Sequence, residues 1–96
     1  MPYQTKVVLH CTSGVPRGLK ELVEAFIRDG VKFVGVVGES ASSVEDLIDA
    51  MVVGDGRDAS RYILTTSHPD ETLAQAVTFA EQLTGDYAGA VQVVEV

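Results

Sequence analysis

Apolar and polar positions follow two rhythms along this chain: short unbroken apolar runs, and longer stretches where apolar residues return every three or four positions. Lys6 to His10, KVVLH, is the first run, rich in β-branched residues, as expected of a strand buried on both faces. Beyond a loop, Leu19, Leu22, Val23, Phe26 and Ile27 stand at i, i+3, i+4, i+7 and i+8, the stripe of one helix face, and Gly30 closes it. VKFVGVV, Val31 to Val37, predicts a second strand. GESASS opens a second helix, with Ser42 and Glu45 at capping-box spacing and a stripe of Val44, Leu47, Ile48, Met51 and Val52. Gly54 ends that helix, and GDGRDAS reads as a polar turn with positive φ at Gly54 and Gly56. RYILTT, Arg61 to Thr66, predicts a third strand. After SHPD, with Ser67 or Asp70 as the cap and His68 partly exposed, Leu73, Ala76, Val77, Ala80 and Leu83 mark a third helix. AVQVVEV then alternates as a half-exposed strand at a sheet edge.

The pattern is βαβαβαβ. Helices between successive strands imply parallel pairing, because each crossover must carry the chain back along the sheet. The expectation is one three-layer α/β domain over residues 1–96, half of a flavodoxin-like or Rossmann-like fold. Its four-stranded, mostly parallel sheet takes the order 2-1-3-4, with the first helix on one face and the other two opposite. Direction then reverses between strands 1 and 3. The loops CTSGVPRG and SHPD would share a crevice there, at the strand carboxyl ends where open α/β sheets bind ligands.

Composition narrows the function. With 46% hydrophobic and 22% charged residues in 96, the chain can bury a single core. A net charge of −7 argues against nucleic acid and anionic membranes, which demand clustered Lys and Arg. The expected partner is a protein or a small anionic ligand, with a homodimer through the apolar edge Val91 to Val96 as a further expectation. One cysteine forms no intrachain disulfide, and the start lacks the basic head and apolar run of a secretory signal, so a cytoplasmic setting is expected. No cofactor or metal is expected: Gly35 and Gly38 do not make a dinucleotide fingerprint, and His and Cys lack ligand spacing.

The densest chemistry lies in HCTSGVPRG, His10 to Gly18. A loop leading from a strand into a helix gathers backbone N–H groups at the positive end of the helix dipole, which attracts anions and lowers a thiol pKa. The stretch resembles the signature loop of the protein tyrosine phosphatases. That resemblance implies Cys11 as nucleophile, His10 and Arg17 as charge stabilisers, Gly14 as the point of close approach and Asp70 as general acid. The chain departs from the signature at Pro16, which has no N–H to donate, and at Gly18, where Ser or Thr is usual. The plainer reading makes Cys11 a small hydrophobe near a strand end and Pro16 the first residue of the first helix.

A second resemblance rests on residues 28–50 and 61–81: a glycine beside an aromatic in the second strand, a Ser-Ser helix start, and TT-x-H-x-D-E-x-L. That last element is Thr65, Thr66, His68, Asp70, Glu71 and Leu73. These residues are similar to a bacterial family of uncharacterised α/β domains, which implies the fold and no established activity. The functional expectation is a binding or interaction module without catalysis, using His10, Thr12, Ser13, Gly14, Ser67 and His68. The alternative is a cysteine phosphatase-like enzyme, or a degenerate anion-binding relative, using Cys11, Arg17 and Asp70.

Overall fold

In the computed structural model, which describes residues 3–12, 14–53 and 62–96, strands and helices alternate along the whole chain. The elements are β1 (Lys6–His10), α1 (Leu19–Arg28), β2 (Phe33–Val37), α2 (Ala41–Val53), β3 (Leu64–His68), α3 (Leu73–Glu81) and β4 (Val91–Glu95), with a 3₁₀ turn at Gly85–Tyr87. All strand pairs are parallel, so the fold is α/β. Among the described residues no helix is long and apolar enough to cross a membrane.

The strand order is β3-β2-β1-β4, not 2-1-3-4. Burial explains the order. Every residue of β2 is buried, whereas β3 and β4 are only partly so, and the strands with polar or half-exposed residues take the edges. The register sets Lys6 beside Phe33 and Val91, and His10 beside Val37 and Glu95, while Val37 pairs with His68. Direction therefore reverses between β1 and β4. Two successive right-handed crossovers in one direction place α1 and α2 on the same face, and the reversed crossover sends α3 to the other. This corrects the expectation that α2 and α3 share a face.

Each face has its own core. Val7, Leu9, Val34 and Val36 meet α1 and α2 through Leu19, Val23, Phe26, Val44 and Ile48. Val8, Phe33 and Val37 meet α3 through Ala76 and Ala80, with Leu73, Val77 and Leu83 beside them. The three predicted helix stripes are the buried ones, except that Leu47 stays exposed.

Helix starts differ from the sequence reading. Gly18, in the left-handed conformation, precedes α1, so Pro16 lies outside the helix rather than at its first position. Ser42 sits inside α2, not at its cap. Thr72 caps α3: its hydroxyl accepts from the Gln75 amide at 3.1 Å, and the Gln75 side chain accepts from the Thr72 amide at 2.8 Å. Thr72 thereby takes the role assigned to Ser67 or Asp70. The GDGRDAS turn and Ser13 lie outside the described residues.

Candidate functional site

The carboxyl ends of β1 and β2 are joined by one hydrogen bond, from the Cys11 amide to the Val37 carbonyl at 2.9 Å. Beyond it the chains part into an open cleft of about 500 Å³ lined by residues 10–12, Gly14 and residues 38–40. Gly38 makes this possible. Its φ is 134°, and a Cβ there would collide with the Cys11 carbonyl oxygen, so only glycine lets the two loops approach. Gly14, with φ 81°, turns the β1 loop back towards Ser40, one residue ahead of α2. The first turn of α2 faces this end of the sheet, and its amides beyond Ala41, which donates to the Gly38 carbonyl at 3.1 Å, carry the positive end of the helix dipole. His10 alternates with Lys6 and Val8 onto the α3 face of β1, away from α2, and its Nδ1 is buried with no hydrogen-bond partner among the described residues. Glu95 Oε2 stands 3.6 Å from it, beyond hydrogen-bond range.

The reversal point itself, between β1 and β4, is closed. Val96 donates its amide to the His10 carbonyl at 3.0 Å, and both the amide (3.0 Å) and the hydroxyl (2.9 Å) of Thr12 donate to the Val96 carbonyl. The cleft therefore opens on the β2 side of β1.

Cys11 turns away from solvent. It is 5% exposed and belongs to the core beneath α1 and α2, and burial pushes its thiol pKa above the ordinary value. A thiolate nucleophile needs a shift in the opposite direction. Arg17 and Asp70 are both exposed. Because β2 lies between β1 and β3, the turn that carries Asp70 shares no crevice with the Cys11 loop.

His68 is the last residue of β3, 5% exposed, rather than a half-exposed loop residue. It faces α3, where its Nδ1 lies 2.8 Å from Glu71 Oε1 and its Nε2 lies 2.8 Å from Thr66 Oγ1. The edge of its ring meets Phe79, centroids 5.2 Å apart. Ser67 points to the opposite face, by strand alternation.

The model of a domain family of unknown function, DUF7684, matches residues 1–96. The chain belongs to that family. No curated protein and no solved structure matches it.

The TT-x-H-x-D-E-x-L element of this DUF7684 chain straddles β3 and the start of α3, and two of its residues complete a network that sequence reasoning passed over. Thr66 and Glu71 were seen only as motif positions. The signal was present, since positions i and i+2 of a strand share a face, which sets Thr66 beside His68. Lys6 was missed altogether. It is 2% exposed beneath α3, where its Nζ donates to the carbonyls of Ala80 (2.7 Å) and Leu83 (3.3 Å) at the helix's carboxyl end. That end carries the negative pole of the helix, which favours such a donor.

Proposed function

We propose that this domain is a binding module that takes a small anionic ligand, without catalysis at that place, in the cleft between the β1 and β2 loops. The observation that carries the reading is the cleft itself, where Gly38 lets the β1 loop approach the amino end of the thirteen-residue helix α2. Amide hydrogens at a helix start and a hydroxyl such as that of Ser40 are groups that a carboxylate or phosphoryl oxygen satisfies. Thr12, Gly14 and Ser40 complete the wall. The exposed carboxylate of Glu39 on the rim, with a net charge of −7 overall, favours a singly charged anion over a polyanion. A raised Cys11 pKa supports binding without covalent chemistry.

Titration with acetate and with inorganic phosphate, followed through the backbone amide signals, tests this. Saturable shifts confined to Gly14, Gly38 and residues 40–42, weakened by Ser40→Ala, are the expected result. Shifts that scatter over the surface, or that survive Ser40→Ala unchanged, would overturn it.

A second reading concerns assembly, and rests on β4. Val93 is 44% exposed on this edge strand. The Val96 amide pairs inward to β1, so alternation turns the backbone groups of Val91, Val93 and Glu95 outward. A two-fold axis at Val93 would pair Val91 with the partner copy's outward Glu95, keeping like charges apart. Sedimentation at high concentration distinguishes a dimer from a monomer, and Val93→Lys should abolish any dimer found.

A further inference from the structure

The Thr66–His68–Glu71 network lies apart from the β1–β2 cleft, on the α3 side of the β3 edge. A carboxylate oxygen can only accept, so Nδ1 of the neutral His68 ring carries the proton and donates it to Glu71. That leaves Nε2 as the acceptor, and the Thr66 hydroxyl donates to it. Hydroxyl, imidazole and carboxylate thus stand in the order that activates an alcohol for attack: a nucleophile hydrogen-bonded to a base, and the base oriented by a third group.

Packing holds this arrangement. Phe79 presses on the imidazole, which is buried, and Glu71 sits three residues on, where the chain turns into α3. Across the sheet, Gly35 pairs with Thr66, and a Cβ at Gly35 would come within 3.4 Å of Thr66 Oγ1 and 3.1 Å of the Phe33 ring. Glycine there leaves room around the hydroxyl.

Access comes from the edge. Thr66 is partly exposed, and α3 is packed chiefly over β1, β2 and β4. A groove of about 420 Å³ runs along α3 past Gln75, Thr78 and Phe79 and meets the network at Glu71, not at Thr66. The Leu64 amide pairs inward with the Lys32 carbonyl, so strand alternation turns the Ser67 amide to the free edge, next to Thr66, as a backbone donor for a developing oxyanion.

We propose that Thr66 is a base-activated nucleophile that accepts an acyl group from a small activated ester or thioester. Thr66 Oγ bonds to the acyl carbon while His68 Nε2 takes the hydroxyl proton. The bond from that carbon to the leaving oxygen or sulfur then breaks, and the proton passes from Nε2 to the leaving group. Water, deprotonated by His68, releases the acyl group as a carboxylic acid and restores the hydroxyl. Glu71 is a positioning residue that sets the tautomer of His68.

Incubation of the full chain with p-nitrophenyl acetate, followed by peptide mass mapping, reads the step directly. Acetyl should appear on Thr66, persist in Thr66→Ser and vanish in the isosteric Thr66→Val. His68→Gln should slow acylation by on the order of 10²-fold. Glu71 is half-exposed, and Glu71→Gln should preserve the fold while lowering the rate and shifting the ¹⁵N signature of His68 away from the Nδ1–H tautomer. Acetyl found only on other side chains, or acylation of Thr66 that is unaffected by both His68→Gln and Glu71→Gln, would overturn the proposal.

Discussion

The two faces of the sheet are built on different principles. Beneath α1 and α2 the buried cluster is apolar, with the Thr65 hydroxyl donating to the Glu45 carboxylate of α2 at its margin (3.1 Å), and even the lone cysteine serves there as a hydrophobe. Beneath α3 the apolar core is smaller, and two polar side chains are buried with it: Lys6 against the carboxyl end of the helix, His68 between Thr66 and Glu71. A face closed by two helices has area to spare for apolar burial, and a face closed by one short helix has less. Buried polar groups that find partners hold the shorter helix in place and dictate where it sits, because a burial without those partners would be costly. Buried polar side chains therefore collect on the α3 side, and the two-helix side is closed by an apolar core.

Four measurements break or sharpen that contrast. The largest effect belongs to Phe26→Ala, which removes a fully buried ring from the two-helix face and should lower stability by about 3–5 kcal/mol in urea unfolding. Lys6→Met comes next. The stem is kept and the carbonyls of Ala80 and Leu83, at and just past the end of α3, lose their donor, so a loss of about 1–3 kcal/mol is expected, with faster amide exchange in α3 than in α1 or α2. Exchange that rises equally in all three helices would show that the α3 face does not depend on this tie. Thr72→Ala removes the α3 cap and should cost about 1 kcal/mol.

The smallest effect is that of Cys11. Its thiol pKa is raised by burial, so the folded state favours the neutral form. The resulting stability is complete below the ordinary thiol value and is lost as pH rises through the higher folded one. Alkylation of the native protein should accordingly set in at higher pH than that of a free thiol, and phosphate should not protect it. Rapid alkylation near neutral pH would instead restore Cys11 as a candidate nucleophile.

Much of the fold was legible because hydrophobic period is a local property. Leu19 to Ile27 and Leu73 to Leu83 announce helix faces with no knowledge of what they touch, and β4 announces an edge through its alternation. Strand order was not read correctly, although a hint was present: LTTSH is too polar for the middle of a sheet covered on both sides. The site suffered from that error. Placing β3 beside β1 paired Cys11 with Asp70, where the structure pairs the β1 loop with Gly38 and Ser40 of the β2 loop.

The amino-acid sequence alone determined the alternation of strands and helices, the parallel α/β class, the apolar stripes and the family motif, since all of these follow from spacing along one chain. Only the tertiary structure decided which strands neighbour each other, which face each helix covers, and that Lys6 and His68 are buried, the latter joined to Thr66 and Glu71. Those outcomes depend on which side chains can be buried together and which polar atoms find partners, and such pairings join residues that spacing along the chain does not relate.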